Sequence, residues 1–107
     1  MADLSCELQW LCYLFNDLNI QFADPFALYC DNTSAIRIAE NPVAHERTKH
    51  IEIDCHLIRE KIAARLIKLF YISTDSQLAD VLTKSLSIHR FVELIGKLGM
   101  CDIHAPA

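Results

Sequence analysis

Two short apolar runs constrain this chain more than any other feature: "FALYC" at residues 26–30 and "RLIKLFYIS" at residues 65–73. Each has the length and the β-branched or aromatic character of a strand. Each is closed by turn formers, Asp31-Asn32-Thr33-Ser34 after the first and Ser73-Thr74-Asp75 after the second. The residues between them carry helical periodicity. A strand that returns to its sheet through helices is most simply parallel to the first, with a right-handed crossover. The first run reads as a buried strand, and a parallel sheet is ordinarily covered on both faces and has further neighbours. We therefore expect a partner, or a part of the domain outside these residues, to supply more strands.

The remaining elements follow from spacing. Leu4, Leu8, Leu11, Phe15 and Leu18 predict an amphipathic helix over 2–18, with Trp10 and Phe15 on or near its inward stripe and read as core. Its start almost at Met1 carries the expectation that the chain begins inside a larger architecture. Asn32, Thr33 or Ser34 can cap a helix through Ala35, Ile36, Ile38 and Ala39, and Asn41-Pro42 stops it. "VAHERTKH" reads as a loop, after which Ile51, Cys55, Ile58 and Ile62 mark a helix over 49–63. Thr74 and Gln77 have capping-box form and predict a helix over 75–84 with Asp80 in its early turns. A last helix, 87–98, has Ile88, Phe91, Val92, Ile95 and Leu98 as its inward stripe and stops at Gly99. The order is α-β-α-α-β-α-α, an α/β domain. The rival assignment is a small helical interaction module in which "RLIKLFYI" is a helix, since periodicity alone does not separate short apolar runs.

At 107 residues the chain has room for one domain. Its 52% hydrophobic and 22% charged residues describe a packed unit rather than a disordered one. A net charge of −4 argues against a general binder of nucleic acid or membrane surface, which gains from a basic face. No apolar run approaches the ~20 residues that span a bilayer, and Asp3 and Glu7 stand where a secretory signal carries basic residues. We expect an intracellular chain, cytoplasmic or nuclear and not secreted. Five cysteines without C-x-x-C spacing fit reduced thiols. His50 and Asp54 stand i, i+4 with no third ligand at suitable spacing, so zinc is not expected. Arg47, Lys49, Arg59, Lys61, Arg65 and Lys68 concentrate positive charge, and part of that set can meet phosphates. Glu46, Glu52, Asp54 and Glu60 interleave with it, which favours a solvated helix face.

In open α/β sheets, ligands collect beyond the carboxyl ends of the strands, where Asp31 and Asp80 are expected. Adjacent parallel strands end about 5 Å apart, close enough for two carboxylates to face each other and hold Mg²⁺, a hard cation with oxygen ligands. The plain alternative makes Asp31 the start of a turn and Asp80 a partner of its helix dipole.

The blocks "LYCDNTSAIRIAENPVAHERTKHIEIDCHLIREKI", "FYISTDSQLADVLTKSL" and "FVELIGKLGM" closely resemble the ribonuclease H domain of copia-type retrotransposon polyproteins. The resemblance runs from "CELQWLCYLFNDL" to "KLGM", with D-N-x-S-A, T-K-H-I and Q-L-A-D-x-L-T-K in the family's order. It implies a mixed five-stranded sheet flanked by helices that hydrolyses the RNA strand of RNA–DNA hybrids, with two Mg²⁺ ions held by four carboxylates. Asp31 matches the carboxylate ending the fourth strand, and Asp80 the one at the start of a late helix. The Asp of the first strand and the Glu of the helix leading into "CELQWL" match nothing here. Residues 1–107 then form a partial, truncated ribonuclease H-like domain of two parallel strands, without the family's first three. The candidate nucleic-acid contacts are Asn32 and Ser34 beside Asp31, Arg47 and Lys49 from the basic set, and His50, which lies in the region that resembles the family's T-K-H-I block.

Two carboxylates contribute −2 against the +4 of a metal pair ~3.5–4 Å apart. The expectation is weak or absent Mg²⁺ binding and no turnover by these residues alone, with activity restored by strand complementation. The alternative is a non-catalytic remnant that self-associates, or binds nucleic acid or protein, through an open sheet edge.

Overall fold

The computed structural model describes residues 1–41 and 49–106, with the backbone alone at 49–52. The chain divides into two compact units, Met1–Tyr71 and Ile72–Ala107.

The first unit is a two-layer α/β arrangement. Strands β1 (Phe26–Cys30) and β2 (Ile67–Tyr71) pair in parallel, with Phe26 opposite Ile67 and Cys30 opposite Tyr71. That pairing excludes the helical assignment of "RLIKLFYI". Helices α1 (Ala2–Asp17), α2 (Thr33–Glu40) and α3 (Lys49–Ala63) make up the other layer. α3 is the central contact of that layer, packing on α1, α2 and β2. Leu28, Ile67 and Leu69 alternate inward and meet Ala39 and Ile58 in the core. Burying a side chain of this size is worth roughly 1.5–3 kcal/mol against leaving it in water.

The strands are not buried on both faces. Ala27, Tyr29, Lys68 and Phe70 occupy the opposite face and are exposed, so only the helix side of this sheet is covered. Alternation within "FALYC" and "IKLFY" already carries that one-sided pattern, which the overall apolarity of the runs conceals.

α1 ends one residue short of its predicted limit and keeps only the middle of its predicted stripe, with Leu8, Leu11 and Phe15 half-buried. Leu4 and Leu18 are exposed, Trp10 is 57% exposed, and the enclosed residue is Ser5. The docked line runs Met1, Ser5, Leu8, Cys12 and Phe15. Ser5 tolerates full burial because its hydroxyl donates to the Ala2 carbonyl at 2.7 Å. One residue along the same face, the Lys61 ammonium donates to Gln9 Oε1 at 3.0 Å, tying α3 to α1.

Three helix ends share one geometry. After α1, Asn19 at φ 57° follows the C-cap, and the N–H of Ile20 reaches the Phe15 carbonyl at 2.8 Å. Arg65 at φ 58° ends α3 in the same way, with Leu66 N–H on the Lys61 carbonyl at 3.0 Å. These left-handed closures satisfy helix carbonyls that otherwise have no partner.

The second unit departs most from expectation. In place of a continuous helix over 75–84 there is a 3₁₀ turn, Thr74–Ser76, and a four-residue helix α4, Asp80–Thr83. Gln77 is extended, with φ −74° and ψ 99°, which interrupts the helix. The 3₁₀ turn has Ser73 as its N-cap, in place of the expected Thr74. α5 (Ile88–Lys97) is capped by Ser87, whose hydroxyl accepts from the Arg90 N–H at 3.4 Å. It ends at Gly99 with φ 69° and a Met100-to-Ile95 bond of 3.1 Å. Leu94 is its fully buried residue, while Ile88, Phe91, Val92 and Leu98 from the predicted stripe are exposed.

Candidate functional site

Asp31 follows β1 directly, at the carboxyl end of the parallel ladder, where backbone and side chains diverge into the turn. The turn is built locally. The Asn32 N–H lies 3.4 Å from the Cys30 sulfur, and Asn32 Oδ1 accepts from the Ala35 N–H at 3.1 Å. Asn32 is therefore the N-cap of α2, resolving the choice among Asn32, Thr33 and Ser34. This closure leaves the Asp31 carboxylate half-buried ahead of a helix N-terminus, where negative charge is favoured. Among the described residues Asp31 takes part in none of the ion pairs. Ser34 lies exposed in the first turn of α2.

Asp80 has the opposite environment. It does not stand at the end of β2, since Ile72–Ala79 intervene, and the ladder does not set the spacing of the two carboxylates. Asp80 opens α4 in the second unit and is buried, at 5% exposed. One oxygen lies 3.2 Å from the Lys84 ammonium and the other 3.4 Å from the Arg90 guanidinium. Arg90 is itself anchored, donating to the Thr74 carbonyl and, at 3.2 Å, to Asp75.

The sequence gives Lys84, the last residue of the Q-L-A-D-x-L-T-K block, and Arg90 no role at this site. Lys84 had a visible signal, an acid followed four residues later by a base on one helical turn. Arg90 had none, because its contacts join separate elements.

The other nominated residues divide. Arg47 lies outside the described residues, as do His45 and Pro42, and Lys49 and His50 open α3 with only their backbone described. Within the central basic set, Arg59 donates to the Ile38 carbonyl at 2.7 Å and Lys61 to Gln9, so both serve helix packing. Lys68 lies over the Phe70 ring, 5.3 Å from its centroid.

The chemistry of the donors decides how far these residues suit a divalent cation. Asp31 offers one open carboxylate. Asp80 offers a carboxylate whose two oxygens already face cations. Within either unit, no three described His, Cys, Asp or Glu side chains converge as metal ligands. Neither half alone fits Mg²⁺.

All five cysteines are free thiols. No helix among the described residues is long and apolar enough to cross a membrane.

No family model matches the chain, and no solved structure does. Curated proteins do match. Over 103 residues the chain is 42% identical to the retrovirus-related Pol polyproteins from transposons RE2 and RE1 of Arabidopsis thaliana. Over 93 residues it is 37% identical to the one from transposon TNT 1-94 of Nicotiana tabacum. The first two alignments cover 96% of this chain and the third 84%, yet the chain spans only 7% of each polyprotein. Over nearly its whole length, then, the chain is homologous to one short segment of retrovirus-related Pol polyproteins from transposons.

Proposed function

We propose that these residues are the later part of a ribonuclease H-like domain in a copia-type Pol polyprotein, contributing Asp31 and Asp80 as two of four metal-binding carboxylates. The assembled domain hydrolyses the RNA strand of RNA–DNA hybrids with Mg²⁺. Its other two carboxylates and further strands come from outside these 107 residues. The placement of Asp31 carries the reading: a carboxylate outside the ion pairs, at the carboxyl end of a parallel strand and ahead of a helix N-terminus, in a chain 42% identical to a Pol polyprotein segment. Asn32, Ser34, Arg47, Lys49 and His50 are proposed as contacts to the hybrid, with Asn32 also holding the helix that follows Asp31.

The test joins this chain to the residues that precede the matching segment in the RE2 polyprotein and measures hybrid cleavage in Mg²⁺. The fused protein is expected to cleave and the 107 residues alone to be inactive. Asp31→Asn or Asp80→Asn in the fused protein should abolish the gained activity. A folded fusion that leaves hybrids intact overturns the reading.

For the 107 residues by themselves, one observation favours a non-catalytic role: both oxygens of Asp80 are held by side-chain cations. In this second reading the chain is an interaction module that pairs through the outer edges of its two-stranded sheet. Self-association without cleavage is expected, and a monodisperse monomer by light scattering counts against it.

A further inference from the structure

The mismatch between Asp80 and a divalent cation has a definite architecture. Four charged side chains meet in the second unit: Asp75, Asp80, Lys84 and Arg90. Their formal charges cancel, so the cluster exerts little long-range pull on a cation. The two cations on Asp80 differ in how firmly they are held. Arg90 is 23% exposed and reaches three acceptors at once: the Thr74 carbonyl, Asp75 and Asp80. Lys84 is 55% exposed and meets Asp80 at the outer end of an otherwise enclosed carboxylate, which is only 6% exposed. It is carried there by one helical turn, its own N–H bonding the Asp80 carbonyl at 2.9 Å. An ammonium 3.2 Å from Oδ1 fills the volume that a metal on that oxygen needs, since Mg²⁺ binds oxygen at about 2.1 Å with its waters around it.

We infer that Lys84 is a built-in counter-ion that closes Asp80 to divalent cations, while Arg90 fixes the carboxylate's orientation. The inference deepens the proposal above, taking Asp80 as a metal carboxylate of the assembled domain. Lys84 is then the exchangeable cation: a metal reaches Asp80 only when the ammonium swings into solvent, and Arg90 stays in place through its contacts to Thr74 and Asp75. Strong fields from other carboxylates favour that exchange, and two isolated acids do not supply them.

The experiment uses Mn²⁺ alone as a paramagnetic probe and reads amide line broadening in the full chain. Lys84→Met, which keeps an unbranched apolar stem without the charge, is expected to gain selective broadening at Asp80 and Val81. Its midpoint should lie about tenfold or more below that of the native chain, because a like charge beside the ligand oxygen has been removed. Lys84→Arg retains the charge and should behave as the native chain. Asp80→Asn combined with Lys84→Met should lose the gained broadening. The same spectra show whether each variant is folded, and Lys84→Gln replaces Lys84→Met if the latter is not. Two results overturn the inference: native broadening at Asp80 equal to that of the uncharged variant, or an uncharged variant as silent as the native chain. Neither touches hybrid cleavage by the complemented domain, so the inference and the ribonuclease reading fail separately.

Discussion

Tyr29 and Phe70 stand opposite each other in the parallel ladder and stack on its uncovered face, ring centroids 5.5 Å apart and planes 29° from parallel. Cross-strand aromatic pairs contribute beyond the area they bury, by roughly 0.5–1 kcal/mol. A double-mutant cycle with Tyr29→Ala and Phe70→Ala should show coupling of about that size by urea unfolding. Additive losses would mean that the rings act separately. Neither change is expected to cost as much as Ile67→Ala, which empties a fully enclosed position at about 2–5 kcal/mol.

Leu94 and Ile88 share α5 but not its environment. Leu94 is completely buried and Ile88 is 84% exposed. Leu94→Ala should destabilise the second unit by about 2–5 kcal/mol, read from amide exchange along α5. Ile88→Ala should stay within about 0.5 kcal/mol. Comparable losses at the two positions would show that the predicted stripe, rather than Leu94, carries the packing.

Arg65 closes α3 in a left-handed conformation that costs a residue with a Cβ roughly 1–2 kcal/mol. Its side chain is exposed, so Arg65→Gly removes the strain at little loss of packing. The added backbone freedom of glycine offsets part of the gain. A net stabilisation of about 0.5–1 kcal/mol is expected by thermal or urea unfolding. A destabilised variant would indicate contacts from Arg65 that outweigh the backbone term.

Glu93 accepts a hydrogen bond from the Lys97 ammonium at 2.9 Å. That bond, and then the charge of Lys97, hold its carboxyl below the ordinary range. A carboxyl lowered on folding adds stability above its unfolded pKa, and the contribution fades as pH falls through the lowered folded value. Carboxyl-carbon titration by NMR should show Glu93 returning toward the ordinary range in Lys97→Met. The effect on overall stability should be slight, because the pair is solvent-exposed.

Elements set by local chemistry are legible in the sequence. "FALYC" and "RLIKLFYIS" announce strands, the residues between them force a crossover, and Asn32 and Gly99 mark helix ends by their own conformational preferences. Contacts between elements were not legible. The helix expected over 75–84 is interrupted at Gln77, and Thr74 and Asp75 ahead of it meet Arg90 from a separate helix. On α1 the apolar count pointed to Leu4 and Leu18, which are exposed, while the enclosed position is the small Ser5 and the tie to α3 is the polar pair of Gln9 with Lys61. At the site, the position of Asp31 follows from strand and turn. The neutralised state of Asp80 does not, because Arg90 reaches it from another helix.

The register that sets Phe26 against Ile67 also governs the order in which the sheet is assembled. Its partner residues are far apart along the chain, so the ladder forms only after a large loop has closed, an entropic toll met before any hydrogen bond rewards it. Along these residues β1 is made first of the two strands, and α2 and α3 are made before β2 appears. Helix formation in the crossover shortens the distance to be closed, so α3 acts as the scaffold on which the late strand finds the early one.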